Sequence, residues 1–331
     1  MQRLSNPSAL PQASANPAAH DSARAHSPSS VDITDALRLL LGQSGRLATT
    51  HTAEAFSQYL VARNLGIGDL ALHRAPSGSI DFAALPLPSP GRSALLMIPT
   101  RLGRDLASND PELIALVRGV CDRRFAGGTR LMQALLPTDS HGPADLLVRC
   151  GFQLITELVY MQRTVRRVPR RLDLPAGLEL LPYQPATHGL FADAIQRSYA
   201  GSLDCPELTG RRDIEDVIAG HKAAGDFSPS MWSVLVDRSN GIEPLGVLLL
   251  AGMGGPHGGI ELVYLALVPE GRGRGLGRLL LRHAEAFAAR SASRQLALAV
   301  DSRNTPALAL YMKHKLKRAQ SRLAMVRFAG D

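Results

Sequence analysis

Residues 261–281 constrain this chain more than any other stretch. An apolar run from 262 to 268 suits a buried strand; Pro269 ends it, and glycine then stands at every second position as Gly271, Gly273, Gly275 and Gly277. Apolar residues return at helical spacing with Leu276, Leu279, Leu280, Phe287 and Ala288, so the pattern predicts strand, tight loop, helix. Glycines remove the side chains that would keep an anion away from the loop amides. A helix opening there adds unpaired N–H groups and the positive end of its dipole. The expected ligand carries phosphate. Two well-known phosphate loops do not fit: no Lys-Ser/Thr pair follows, and neither Gly271 nor Gly273 has the third glycine of a dinucleotide fingerprint.

The segment Arg272-Gly273-Arg274-Gly275-Leu276-Gly277 resembles the Arg/Gln-x-x-Gly-x-Gly/Ala loop of the GNAT superfamily of N-acetyltransferases. In that superfamily the loop amides bind the pyrophosphate of acetyl-CoA. The resemblance implies acetyl-CoA as cosubstrate, and no metal.

The 331 residues suffice for two domains, each with its own core. With 45% hydrophobic and 20% charged residues the composition is that of a globular protein. No run is long enough to cross a bilayer and no signal core opens the chain, so a cytoplasmic location without membrane partners is expected. Cys121, Cys150 and Cys205 are far apart, without Cys-x-x-Cys or His-x-x-x-His spacing, and read as free thiols rather than metal ligands. The net charge of +8 is compatible with polyanions, and basic residues are dense after position 270. A phosphorylated cosubstrate accounts for some of them; nucleic acid would too, so charge alone does not decide, and the loop makes nucleic acid the lesser expectation.

Residues 1–30 are rich in Ser, Ala, Pro, Asn and His without apolar period and read as a disordered leader. From 31 to 167 helices and strands interleave, with helices expected at 32–41, 52–65, 111–123 and 143–150 and strands at 69–73, 80–85, 94–99, 130–136 and 152–166. A linker at 168–171 leads to a second unit, 172–331, in the same order. That order is similar to a GNAT domain. Residues 135–148 can be laid on 299–311, a proline opening the helix in each, with Val148 opposite Tyr311. The fold class expected is α/β (α+β): two tandem GNAT-like units, each a mixed, mostly antiparallel sheet flanked by helices. The first unit retains Gly151-Phe152 but reads Thr-Arg-Leu-Gly-Arg-Asp-Leu where the phosphate loop should be, so it is expected to be degenerate and not to bind the cosubstrate well.

Moving an acetyl group from a thioester to an amine requires the phosphates held, the carbonyl polarised, the amine deprotonated and the thiolate protonated. The phosphates are assigned to Arg272, Gly273, Arg274, Gly275, Leu276, Gly277 and Arg278. By the resemblance, the pantetheine arm lies along the strand before the loop, an N–H near Leu267 or Val268 faces the thioester oxygen, and Asn304 contacts the cosubstrate. Glu261 resembles the general base of histone-acetylating members; at its ordinary pKa near ~4 it needs burial or a water relay, and an exposed strand-end charge is the competing reading. Tyr311 shares a helix face with Ala307, Leu310 and His314, which points it inward; Thr305 is read as the cap of that helix. In the superfamily such a tyrosine protonates the departing thiolate; a packed core aromatic is the alternative. Asp204 and Glu207, in the segment that usually shapes the acceptor pocket, are candidates to attract a cationic amine, against the reading of solvated loop acids. Cys205 and Trp232 read as structural.

The leading expectation is an acetyl-CoA-dependent N-acyltransferase acting through its second unit on a small-molecule or peptide amine. The alternatives are an enzyme of the mycothiol-synthase type, on architecture alone, and a non-catalytic protein that binds coenzyme A or nucleic acid. The absence of a Gly-x-Ser-x-Gly elbow argues against a covalent hydrolase. The sequence fixes neither acceptor nor oligomeric state.

Overall fold

The computed structural model describes residues 29–42, 46–63, 65, 67–166, 174–239, 241–254 and 258–331. Almost all of the expected leader and the whole of the expected linker lie outside the described residues. In the first half α1 (Ser30–Leu40) and α2 (Thr50–Ala62) precede β1 (Ala71–Arg74), β2 (Ile80–Ser89) and β3 (Ser93–Met97). Then come α3 (Pro111–Ala126), β4 (Leu131–Pro137), α4 (His141–Arg149) and β5 (Gln153–Thr164). The second half runs β6 (Leu178–Pro182), α5 (His188–Ser198), α6 (Ile214–Lys222), β7 (Trp232–Asp237), β8 (Glu243–Gly252), β9 (Ile260–Leu267), α7 (Leu276–Ala288), β10 (Gln295–Asp301), α8 (Thr305–Lys313) and β11 (Lys317–Phe328). Helix α1 starts earlier than the apolar period suggests because Ser29 and Asp32 form a reciprocal capping box.

The closing elements of the two halves are in step. Leu131 and Gln295, His141 and Thr305, and Gln153 and Lys317 open matching elements, each pair 164 positions apart. The same step sets Leu147, fully buried, opposite Tyr311; the expected counterpart, Val148, is exposed. Pro143 and Pro306 stand one residue out of step with this repeat, and a one-residue shift on a helix turns a core position outward.

The two halves do not keep separate sheets. One 11-stranded sheet runs β1-β2-β3-β4-β11-β5-β10-β9-β8-β7-β6. Among the described residues only β3/β4 and β9/β10 pair in parallel. The last strand of each half has crossed to the other: β11 lies beside β4, and β5 beside β10. They also pair with each other, antiparallel, with Leu158 opposite Arg322, its own counterpart in the repeat, which marks a pseudo-two-fold axis through the sheet. The exchange carries core residues with it. Met325 of β11 packs with Val117, Met132 and Leu147 under α3 and α4. Val159 and Met161 of β5 pack with Leu280, Leu298 and Tyr311 under α7 and α8. Each such fully buried side chain is worth roughly 1.5–3 kcal/mol, so neither half completes its core alone. On the opposite face α1 and α2 cover Ala83 and Leu85, while α5 and α6 cover Trp232, Val234 and Val247.

Candidate active site

Strands β9 and β10 pair only over 260–262 and 296–298. Beyond that the register of β9 against β8 shifts at Val263, and the parallel pair opens into a V. Backbone polarity along the open edge follows from the ladder. Val268 N–H donates to the Leu245 carbonyl, so residue 268 is in a hydrogen-bonded pair and the alternation turns Leu267 and Leu265 to the other side, toward the V. Val268 is therefore not a candidate for the thioester oxygen, being fully buried with its N–H already bonded. Leu267 remains one.

At the mouth of the V the glycine loop meets α7. Gly273 and Gly275 have φ of +71° and +76°, and a Cβ built at either meets no protein atom within 4 Å. The left-handed backbone requires glycine, and the space a side chain would fill is left open. Gly275 is the N-cap of α7 and no side chain caps the helix. The amides of its first turn thus face that opening with the positive dipole end behind them. The first half differs at the matching place: α3 carries Pro111 in its first turn, which has no N–H, and the Asp110 carboxylate accepts the Glu112 N–H at 2.9 Å. An anion of the chain's own already sits on that helix start.

A cleft of about 220 Å³ fills the V, lined among others by Ser198, Asp204, Tyr264, Leu267, Arg272, Asn304 and Tyr311. Arg272 reaches across its mouth, donating to the carbonyls of Ser198 (2.8 Å) and Leu267 (3.2 Å). Arg274 and Arg278 are exposed on the loop and first turn of α7. Asn304, rather than Thr305, caps α8, its side-chain oxygen accepting the Ala307 N–H at 3.3 Å. Tyr311 is 5% exposed; burial, and then the negative Asp204, push its phenol pKa up, so it stays protonated at all ordinary pH. Asp204 is open to the cleft yet enclosed on its other sides. Burial raises its pKa, offset in part by the Asp301 N–H (3.2 Å) and by Asn304. Glu207 does not join them, because Arg303 grips its two oxygens at 2.6 and 3.0 Å.

Glu261 stands at the apex of the V, in register with Ala297 of β10 and next to Leu262, which lines the cleft. It is half-buried, and burial raises its pKa, the condition a carboxylate base needs. Tyr160 of the exchanged strand β5 lies near enough to feel its charge. Three residues of this region were not legible in the sequence: Ser198 and Tyr264, whose hydroxyls are 3.0 Å apart in the cleft wall, and His221, stacked on Tyr264 with centroids 5.0 Å apart. Burial drops the His221 pKa to about 4, so it is a neutral packing group. Trp232 is fully buried against Tyr183, Phe191 and Phe227. Cys205 is half-buried, and burial with the neighbouring carboxylates drives its thiol pKa far up, which leaves no nucleophile. Among the described residues no helix is long and apolar enough to cross a membrane, and no group of three His, Cys, Asp or Glu is placed to hold a metal ion.

Residues 201–315 match the family described as "Acetyltransferase (GNAT) family". A mycothiol acetyltransferase from Pseudarthrobacter chlorophenolicus is 27% identical over 209 residues, 60% of each chain, so the match spans less than two thirds of that relative. Among solved structures, a GCN5-related N-acetyltransferase from Sphaerobacter thermophilus superposes with a TM-score of 0.55 at 16% identity, covering 90% of both chains. A tandem GNAT protein from the clavulanic acid biosynthesis pathway gives 0.47 at 15% identity, covering 90% of this chain and 94% of that one. The opened β9/β10 pair and the uncapped glycine-led helix both lie within the stretch, residues 201–315, that matches the acetyltransferase (GNAT) family.

Proposed function

We propose that the protein is an acetyl-CoA-dependent N-acetyltransferase whose second half alone carries the reaction, with a primary amine on a small molecule or peptide as acceptor. One observation carries this reading: α7 begins uncapped behind two left-handed glycines at the mouth of the V, whereas the matching helix α3 is closed by Asp110. Amides from Arg272 to Gly277 hold the pyrophosphate, with Arg272, Arg274 and Arg278 supplying positive charge around it. The N–H of Leu267, turned into the V, polarises the thioester carbonyl. The amine enters on the face covered by α5 and α6, where Asp204 draws its cation. Glu261 takes the first proton from the ammonium, through water where the distance requires it, and the freed lone pair of the nitrogen attacks the carbonyl carbon. The C–S bond breaks, Tyr311 donates its phenolic proton to the departing sulfur, and the second proton lost from the nitrogen restores the phenol.

The test is a calorimetric titration of acetyl-CoA into the protein and into Gly275→Glu. One site per chain, abolished in the variant, is expected. No binding, or two sites per chain, overturns the reading. With binding established, the first amine to screen is the acceptor used by the mycothiol acetyltransferase that this chain resembles.

A further inference from the structure

The segment between α5 and α6 forms the acceptor side of the cleft, yet part of what it rests on lies in the first half. Cys205 and Leu208 pack on Leu131, Ile155 and Leu158 of the first half and on Phe328 of the exchanged strand. Arg211 lies over the Phe328 ring at 4.0 Å and pairs with Asp331. Just past the segment, in the first turn of α6, Asp216 pairs with Arg92, at the β2–β3 turn, at 2.6 Å.

The centre of this attachment is Asp301, at the end of β10, fully buried. One carboxylate oxygen accepts from the Thr156 hydroxyl of β5 at 2.6 Å and from the Arg303 N–H at 2.8 Å. The other accepts from the Cys205 N–H at 3.0 Å and from the Arg303 guanidinium at 2.8 Å. That guanidinium also grips Glu207. The backbone N–H of Asp301 then donates to the Asp204 carboxylate. Cys205 sits at φ +45°, a left-handed conformation that costs a non-glycine residue and persists only where its surroundings impose it. The amide bonded to Asp301 belongs to that strained residue.

We propose that Asp301 is a positioning residue: held by Thr156 of the first half, it locks the turn at Cys205 and so sets Asp204 in the acceptor cleft. This rests on the reading that the cleft receives the amine. The first half then serves catalysis without binding the cosubstrate, because it lends the strand and the hydroxyl that fix the acceptor side. A buried carboxylate bonded from both halves transmits position well, since any movement of the turn leaves a charged group short of partners.

The experiment uses the full chain and the Cys205 thiol as reporter, titrated with a chromogenic aromatic disulfide reagent. Cys121 and Cys150, both buried, report global opening in the same reaction. Thr156→Val keeps the side-chain shape and removes the hydroxyl; Thr156→Ser keeps the hydroxyl and loses the methyl group. Cys205 is expected to react at least tenfold faster in Thr156→Val and in Asp301→Asn, to stay within twofold of the parent rate in Thr156→Ser, and Cys121 and Cys150 to stay unreactive in both Thr156 variants. Acetyl-CoA affinity in Thr156→Val is expected within twofold of the parent. An unchanged Cys205 rate in Thr156→Val, or equal acceleration in Thr156→Ser, overturns the proposal, as does reaction of all three cysteines together in Thr156→Val. If the parent binds no acetyl-CoA, the functional reading fails, while the thiol rates still report whether Asp301 locks the turn.

Discussion

Replacing Asp301 by asparagine tests how much the junction between the halves depends on one charge. Burial alone would raise the Asp301 pKa, but hydrogen bonds from Arg303, Thr156 and the Arg303 and Cys205 amides outweigh it and bring it from 3.8 to about 2. A carboxyl whose folded-state pKa lies below its unfolded value contributes stability that is complete above pH 3.8 and is lost as pH falls from there toward 2. At 1.36 kcal/mol per unit that contribution is about 2 kcal/mol. The asparagine also turns an NH₂ toward groups that themselves donate and leaves Arg303 with Glu207 alone, so the loss at pH 7 should be about 3 kcal/mol. The assay is urea unfolding followed by the fluorescence of Trp232, the chain's single tryptophan, fully buried in the second half. The gap between parent and variant should be about 3 kcal/mol at pH 7 and should narrow to about 1 kcal/mol near pH 2.5, as the parent alone loses its charge. A gap that stays constant over that range refutes the reasoning, because it would assign the loss to packing rather than to the carboxylate.

Gly275→Ala should cost about 1–2 kcal/mol of stability, since alanine in a left-handed conformation is strained although its Cβ meets nothing. Its acetyl-CoA affinity should fall by tenfold or more as amide bonds to phosphate are lost, read by calorimetry; a change under threefold would mean that the loop is only a turn. Tyr311→Phe should leave acetyl-CoA affinity intact and lower kcat by roughly 10²-fold, the scale of a lost general acid, and equal loss of affinity would remove that role. The activity of the parent should decline as pH falls through the Glu261 pKa, at a pH above the ordinary glutamate range because burial raises it, and Glu261→Gln should abolish that limb of the pH–rate profile. In stability the same variant should be neutral or slightly favourable at pH 7, where the buried charge is disfavoured; a clear loss in urea melts would mark Glu261 as a structural partner.

The glycine turn that opens α7 was legible because its requirements are local. Alternating glycines, a preceding apolar run and a following helical period need no distant partner, and the strand, turn and helix of 260–288 formed where the period placed them. Tyr311 was legible for the same reason, through spacing on one helix face. The arrangement of the acid residues between α5 and α6 was not, because spacing says nothing about what lies across a cleft: Asp204 faces it, and Glu207, three residues on, is held by Arg303. Val268 failed at the level of a single peptide, where the ladder to Leu245 decides which way its N–H points.

The sequence by itself determined the order of elements, the doubling of the chain, the glycine turn before α7 and the inward tyrosine, since each follows from periodicity or backbone freedom within a few residues. Only the tertiary structure decided that β5 and β11 change places, that Asp110 closes the first helix start while Gly275 leaves the second open, and that Asp301 ties Thr156 to the turn at Cys205. Strands in one sheet are chosen by which hydrophobic faces and hydrogen-bond edges meet, and that choice lies between residues roughly 130 to 200 positions apart, a separation that no local pattern encodes.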